Sequence, residues 1–175
     1  MITDSVGPFS RPVAVNRLPD DGTEVTVTAN EEERRDLAMD FGLPAIGRLE
    51  GRFRLRPTRT GVQVAGTVTA EVTQTCVVTL EPFDSILTEE VEVEFTEPSR
   101  TSPRGEPAPE LEADLDIPDE IVDGRVDLGA VTSEFLALGL DPYPRKPGVS
   151  FAFEDDPEAK AGPLAELARL RRGEG

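Results

Sequence analysis

The stretch GRLEGRFRLRPTRTGVQVAGTVTAEVTQTC, residues 47–76, carries the plainest structural signal in this chain. Leu49, Phe53 and Leu55 take odd positions with Gly51 between them, while Arg48, Glu50, Arg52, Arg54 and Arg56 take the even ones. Successive side chains of a strand point to opposite faces, so this alternation gives one apolar and one charged face. PTRTG at 57–61 supplies turn residues. Beyond it, Val62, Val64, Gly66, Val68, Ala70 and Val72 share a face, with Gln63, Thr67, Thr69, Glu71 and Thr73 on the other. The pattern predicts a long antiparallel hairpin with one face toward a core. Continuing the register puts Gln74, Cys76 and Val78 on the apolar side.

Working outward, LEPF turns the chain, and Val91, Val93 and Phe95 then alternate with Glu90, Glu92 and Glu94. A three-stranded antiparallel meander over about 45–96 is therefore the expected centre of the fold. Upstream, FSRPVAV (9–15) and TEVTVT (23–28) read as strands flanking the turn RLPDDG, which suggests a hairpin. Asn30 before EEERRDLAMDFG, three glutamates in the first turn and Gly42 past the end mark a helix. Leu37, Met39 and Phe41 with Leu43 are its expected apolar edge. Downstream, EPSRTSPRGEPAPELEA (97–113) is Pro-, Ser- and Glu-rich and reads as a mobile acidic loop. EIVDGRVDL suggests a short strand, and Asp127 caps the helix LGAVTSEFLALGL, with Leu128, Val131, Phe135, Leu136 and Leu138 as its core face. The prolines of DPYPRKPG end it. PLAELARLRR predicts a short amphipathic helix at about 163–172. The class is α+β: a single domain over 1–175 on an antiparallel β-sheet, open to partial closure into a barrel, with two or three packing helices.

Composition narrows the function. The 175 residues carry a formal net charge of −17, which favours solubility and repels phosphate backbones over the molecule as a whole. Either salt adaptation or a basic partner fits that balance. No stretch is long and apolar enough to span a membrane, and the N-terminus lacks a signal-peptide pattern. With one cysteine there is no internal disulfide, and the expected location is cytoplasmic. The chain has no histidine, which removes the commonest general base, every Ser-His or Cys-His dyad and the commonest metal ligand.

Three features remain as candidates. Cys76 has no base nearby, and Glu71 and Glu81 in its neighbourhood favour the neutral thiol, so it reads as a small buried hydrophobe. One Cys without His cannot build a metal site either. The acidic set Glu90, Glu92, Glu94, Asp114, Asp116, Asp119 and Glu120 matches no calcium-loop spacing and reads as a solvated face or a surface for a basic partner. Arg48, Arg52, Arg54 and Arg56, with Arg59 at the turn, form a basic stripe suited to bidentate phosphate contact. Cross-strand pairing with Glu71 or with the glutamates of 90–94 would neutralise it.

The order of motifs resembles a known family. GTVTAEVTQTCVVTLEPF, then VEVEF, an acidic loop, DEIVDGRVDLG, a Leu-rich helix and a terminal GPLAELARL look like YceD, the bacterial large ribosomal RNA subunit accumulation family, from roughly Phe9 to Leu170. That resemblance implies a non-enzymatic role in synthesis, processing or stability of 23S ribosomal RNA, and so in large-subunit assembly. It implies large-subunit ribosomal RNA or a basic ribosomal protein as partner, with no cofactor, no membrane and no small-molecule substrate. Relatives often carry C-x-x-C where this chain has CVVT; Cys76 matches the first position and Thr79 stands at the second. The turn itself, Leu80, Glu81, Pro82 and Phe83, carries over as a structural corner.

Overall fold

The computed structural model describes residues 7–97 and 119–150. Among the described residues, seven strands and two helices follow in chain order: β1 Pro12–Ala14, β2 Thr23–Thr28, α1 Glu31–Asp40, β3 Ala45–Pro57, β4 Gly61–Thr75, β5 Pro82–Thr96, β6 Asp119–Glu120, β7 Arg125–Asp127 and α2 Leu128–Gly139. The expected meander is the centre, with β3, β4 and β5 antiparallel neighbours in the sheet β2-β3-β4-β5-β6. Period-two alternation is realised residue by residue. Leu49, Phe53, Leu55, Val62, Val64, Val68, Ala70 and Val72 are buried on the inner face, while Arg52, Arg54 and Arg56 point to solvent.

Three expectations need correction. The segments 9–15 and 23–28 do not pair with each other: β2 joins β3, and β1 pairs with β7 in a separate two-stranded sheet. The turn between them does form, with Gly22 N–H donating to Pro19 C=O at 2.9 Å. What decides the pairing is burial, since β2 adds Val25 and Val27 to the inner face beside Phe53 and Gly51. Next, the sheet is mixed and open, not a partly closed barrel. β6 lies parallel to β5, and β2 and β6 are its two edges among the described residues. Finally, Met39 and Leu138 are exposed at 68% and 70%, because residues two apart on a helix stand on opposite sides. Leu37 with Ala38, and Leu128, Val131 and Leu136, are the buried faces. The expected loop at 97–113, apart from Glu97, and the expected helix at 163–172 lie outside the described residues.

Each helix is held at its start. Asn30 and Glu33 form a reciprocal capping box, which satisfies two N–H groups that the first turn leaves free. Glu33 N–H donates to Asn30 Oδ1 at 3.0 Å, and Asn30 N–H donates to Glu33 Oε2 at 2.7 Å. Glu33 also takes a bidentate grip on Arg11 at 2.8 and 2.9 Å, which keeps its carboxyl below the usual range. Asp127 caps α2 by accepting from Gly129 and Ala130 N–H, and it also accepts from Ser10 Oγ and Arg11 N–H. Partial burial opposes ionisation of Asp127, but these four donors outweigh it and hold its pKa low. α2 lies on the inner face over Gly51, where a Cβ would fall 2.6 Å from Thr132 Oγ1 and 2.5 Å from the Phe53 ring. Only glycine allows that approach.

Candidate functional site

The outer face of the sheet separates its charges. β3 contributes Arg48, Arg52, Arg54 and Arg56, and β5 contributes Glu90, Glu92 and Glu94. β4 lies between, and two strand spacings put the rows about 10 Å apart. The β5 glutamates are therefore out of reach of the arginines, and Glu71, although directly opposite Arg48 on β4, forms no ion pair with it because Arg48 turns to Glu50. Arg48 and Arg52 share Glu50, at 2.9 and 2.6 Å, and Arg54 reaches Glu24 at 3.9 Å. Hydrogen bonds from Arg48 and then Arg52 hold the Glu50 carboxyl below its ordinary range. Arg56 and Arg59 are exposed and make no ion pair among the described residues. The glutamates find only neutral donors there, Gln63 for Glu92 at 3.2 Å and Thr58 and Thr60 for Glu94 at 3.3 and 3.5 Å.

The acidic candidates do not form one surface. Asp119 and Glu120 make up β6, and both line a groove of about 840 Å³ with Asp123, Asp127, Glu134 and the single cation Arg125. Phe95, Val126 and Val131 supply apolar lining, and Val122 stands 63% exposed at its side. Glu94 and Phe95 point to opposite faces of β5, so the glutamate row faces away from this groove. Asp114 and Asp116 lie outside the described residues. Glu134 escaped sequence reading because nothing in the α2 pattern ties an exposed helical glutamate to the earlier strand β6.

At the end of β4, Cys76 is fully covered yet shallow, beneath a corner that closes by Cys76 N–H to Glu81 C=O and Leu80 N–H to Cys76 C=O, both 2.9 Å. Leu80 takes a left-handed conformation (φ 59) and is 77% exposed. The segment after α2 packs here: Val77 N–H donates to Pro144 C=O at 2.9 Å, and Lys146 Nζ meets Glu81 at 3.1 Å. The sulfur faces donors. The Thr79 hydroxyl, then the N–H groups of Lys146, Thr79 and Val78, bring the thiol down to about 6 against the opposing cost of burial. The expectation that nearby carboxylates would favour the neutral thiol is therefore overturned. Close hydrogen-bond donors outweigh more distant charges, and the Lys146 N–H comes from beyond α2, far along the chain.

Among the described residues no group of three or more Cys, His, Asp and Glu could hold a metal ion, and no helix is long and apolar enough to cross a membrane. Compared with protein families, residues 64–168, more than half of the chain, match the model described as large ribosomal RNA subunit accumulation protein YceD. The chain belongs to the YceD family. No curated protein and no solved structure gives a match.

The YceD match spans most of β4, all of β5, β6 and β7, and α2. It therefore includes the Cys76 corner, the β5 glutamates and the acidic residues of the groove, whereas the β3 arginines and the groove's Gly7, Ser10 and Pro12 precede it. The family's description is that of an accumulation factor for ribosomal RNA and names no reaction.

Proposed function

We infer that this chain supports synthesis, processing or stability of 23S ribosomal RNA, and thereby large-subunit assembly, as a non-catalytic cytoplasmic factor. It acts by holding a basic segment of a ribosomal protein. The observation that carries this is the groove beside β6, where four carboxylates, besides the α2 cap Asp127, stand with one guanidinium over an apolar lining. Lys and Arg of a basic segment would meet the carboxylates, and their aliphatic stems would cover Phe95 and Val131. A net charge of −17 opposes a broad grip on RNA and steers basic proteins inward.

A second reading puts RNA on the β3 stripe, favoured by the absence of a carboxylate partner for Arg56 and Arg59 among the described residues. Crosslinking and immunoprecipitation from cells separates the two. A basic large-subunit ribosomal protein, recovered with wild type and lost with Asp119→Asn/Glu120→Gln/Glu134→Gln, supports the groove. Ribosomal RNA lost only with Arg52→Glu/Arg54→Glu/Arg56→Glu supports the stripe. Unchanged large-subunit RNA after deletion of the protein would overturn both.

A further inference from the structure

We propose that the outer face of the sheet is a self-complementary surface that takes a second copy of this chain, β3 of each copy lying over β5 of the other. The strand register carries the argument. Arg52, Thr67 and Glu90 stand at one level across β3, β4 and β5, Arg54, Ala65 and Glu92 at the next, and Arg56, Gln63 and Glu94 at the third. Laying a second copy face to face by a two-fold axis along β4 exchanges the sides of the sheet and preserves the levels. Each Arg then stands over a Glu: 52 over 90, 54 over 92, 56 over 94, each twice by symmetry. A two-fold axis across the strands would instead stack Arg on Arg, so charge selects one of the two arrangements.

Shape agrees with charge. The axis passes over Ala65 and Thr67 on β4, whose short side chains let two faces approach. Tilting it about 15° from β4 gives the crossing of about 30° that stacked twisted sheets adopt. At the far end, Ile86 is 74% exposed and stands level with Arg48. It lines an outer-face groove of about 670 Å³ with Ala45 and Gly47, and because the operation preserves levels it comes to lie against the aliphatic stem of Arg48 of the second copy.

Size agrees as well. β3, β4 and β5 run for 13, 15 and 15 residues and β2 for 6. At about 3.3 Å per residue and about 4.8 Å per strand, the three long strands offer a face of about 15 by 40 Å, which β2 widens at one end. That approaches the roughly 800 Å² per partner of a standard specific interface. Net charge opposes the pairing, since each copy carries −17. At about 0.15 M salt the Debye length is about 8 Å, so repulsion between distant carboxylates is screened more than ion pairs in contact. The association is accordingly weak at very low salt and strongest near physiological ionic strength. It is independent of the acidic groove, which lies beyond the other face of β5.

Sedimentation equilibrium of the full chain tests it. Wild type is expected to dimerise at about 0.15 M salt. Arg52→Glu/Arg54→Glu/Arg56→Glu is expected to be monomeric, as is Glu90→Arg/Glu92→Arg/Glu94→Arg, with circular dichroism showing both folded. Mixed one to one, the two variants are expected to recover a dimer, because both crossed rows are again complementary. Thr67→Cys, next to the axis and facing its own symmetry copy, should form an intermolecular disulfide readily, while Ala137→Cys on α2 should not. Cys76 is buried and does not interfere. A wild-type monomer throughout, a dimer indifferent to both triple variants, or a stripe variant that loses only RNA binding would overturn the proposal. The Thr67→Cys result decides the geometry should either triple variant fail to fold.

Discussion

Cys76 and Leu80 share one corner, and each holds a measurable free energy. Four donors stabilise the Cys76 thiolate, so its folded pKa is about 6. The unfolded value is about 8.5. A depressed acid contributes stability that is complete above the unfolded value and is lost as pH falls through the folded one. The stability difference between wild type and Cys76→Ser should therefore grow from about pH 6 to about pH 8.5 in urea titrations; a flat difference would show that the sulfur stays protonated. Thr79→Val removes the leading donor and should raise the thiol pKa, read from thiolate ultraviolet absorbance. Leu80 occupies the left-handed region and is largely exposed. It suffers the Cβ clash of that region without compensating burial. Leu80→Gly should raise stability by about 0.5–1 kcal/mol, measured as the urea midpoint. Of this corner, the turn was legible in CVVTLEPF, whereas the donors were not: one of them belongs to Lys146, which no local pattern connects to Cys76.

Among the elements, the strands were readable because their period is two and one face is buried, so a single misplaced residue in the 48–72 register would invert every side chain. The helices obeyed a different rule. Treating Leu37 and Met39, or Leu136 and Leu138, as one face imports strand spacing into a helix, where two residues span about 200°. The contrast is testable on α2, where Leu136 is fully buried and Leu138 stands out in solvent. In chemical denaturation, Leu136→Ala should cost about 2–5 kcal/mol. Leu138→Ser should cost no more than about 0.5 kcal/mol by the same measurement. Gly51→Val would drive a branched side chain between Phe53 and Thr132. By overpacking it should cost about 1–3 kcal/mol or more. Which strands pair is a third matter. RLPDDG does turn, yet β1 leaves for β7 because Asp127 gathers Ser10 and Arg11 at the start of α2, bonds between segments far apart in the chain.

On the scale of the whole molecule, charge is both the clearest sequence signal and the one whose spatial arrangement sequence cannot give. Acidic residues that looked like one set divide between the outer face and the groove, because β5 points Glu94 and Phe95 to opposite sides. The arginine stripe kept the face expected of it, but its partners are Glu50 and Glu24, from its own strand and its neighbour, since the β5 row is two strands away. Two electrostatic effects then compete for the stability of the folded chain. Exposed ion pairs such as Arg35–Glu31 or Lys146–Glu81 contribute about 0–1 kcal/mol each and weaken as salt rises. Self-repulsion among an excess of 17 negative charges destabilises the compact state and is also screened by salt. With six ion pairs among the described residues against that excess, repulsion is the larger effect. Raising sodium chloride from about 0.01 to about 0.15 M, which shortens the Debye length from about 30 to about 8 Å, should therefore raise the melting temperature. A fall in Tm over that range, followed by circular dichroism at fixed protein concentration, would mean that the ion pairs outweigh the net charge.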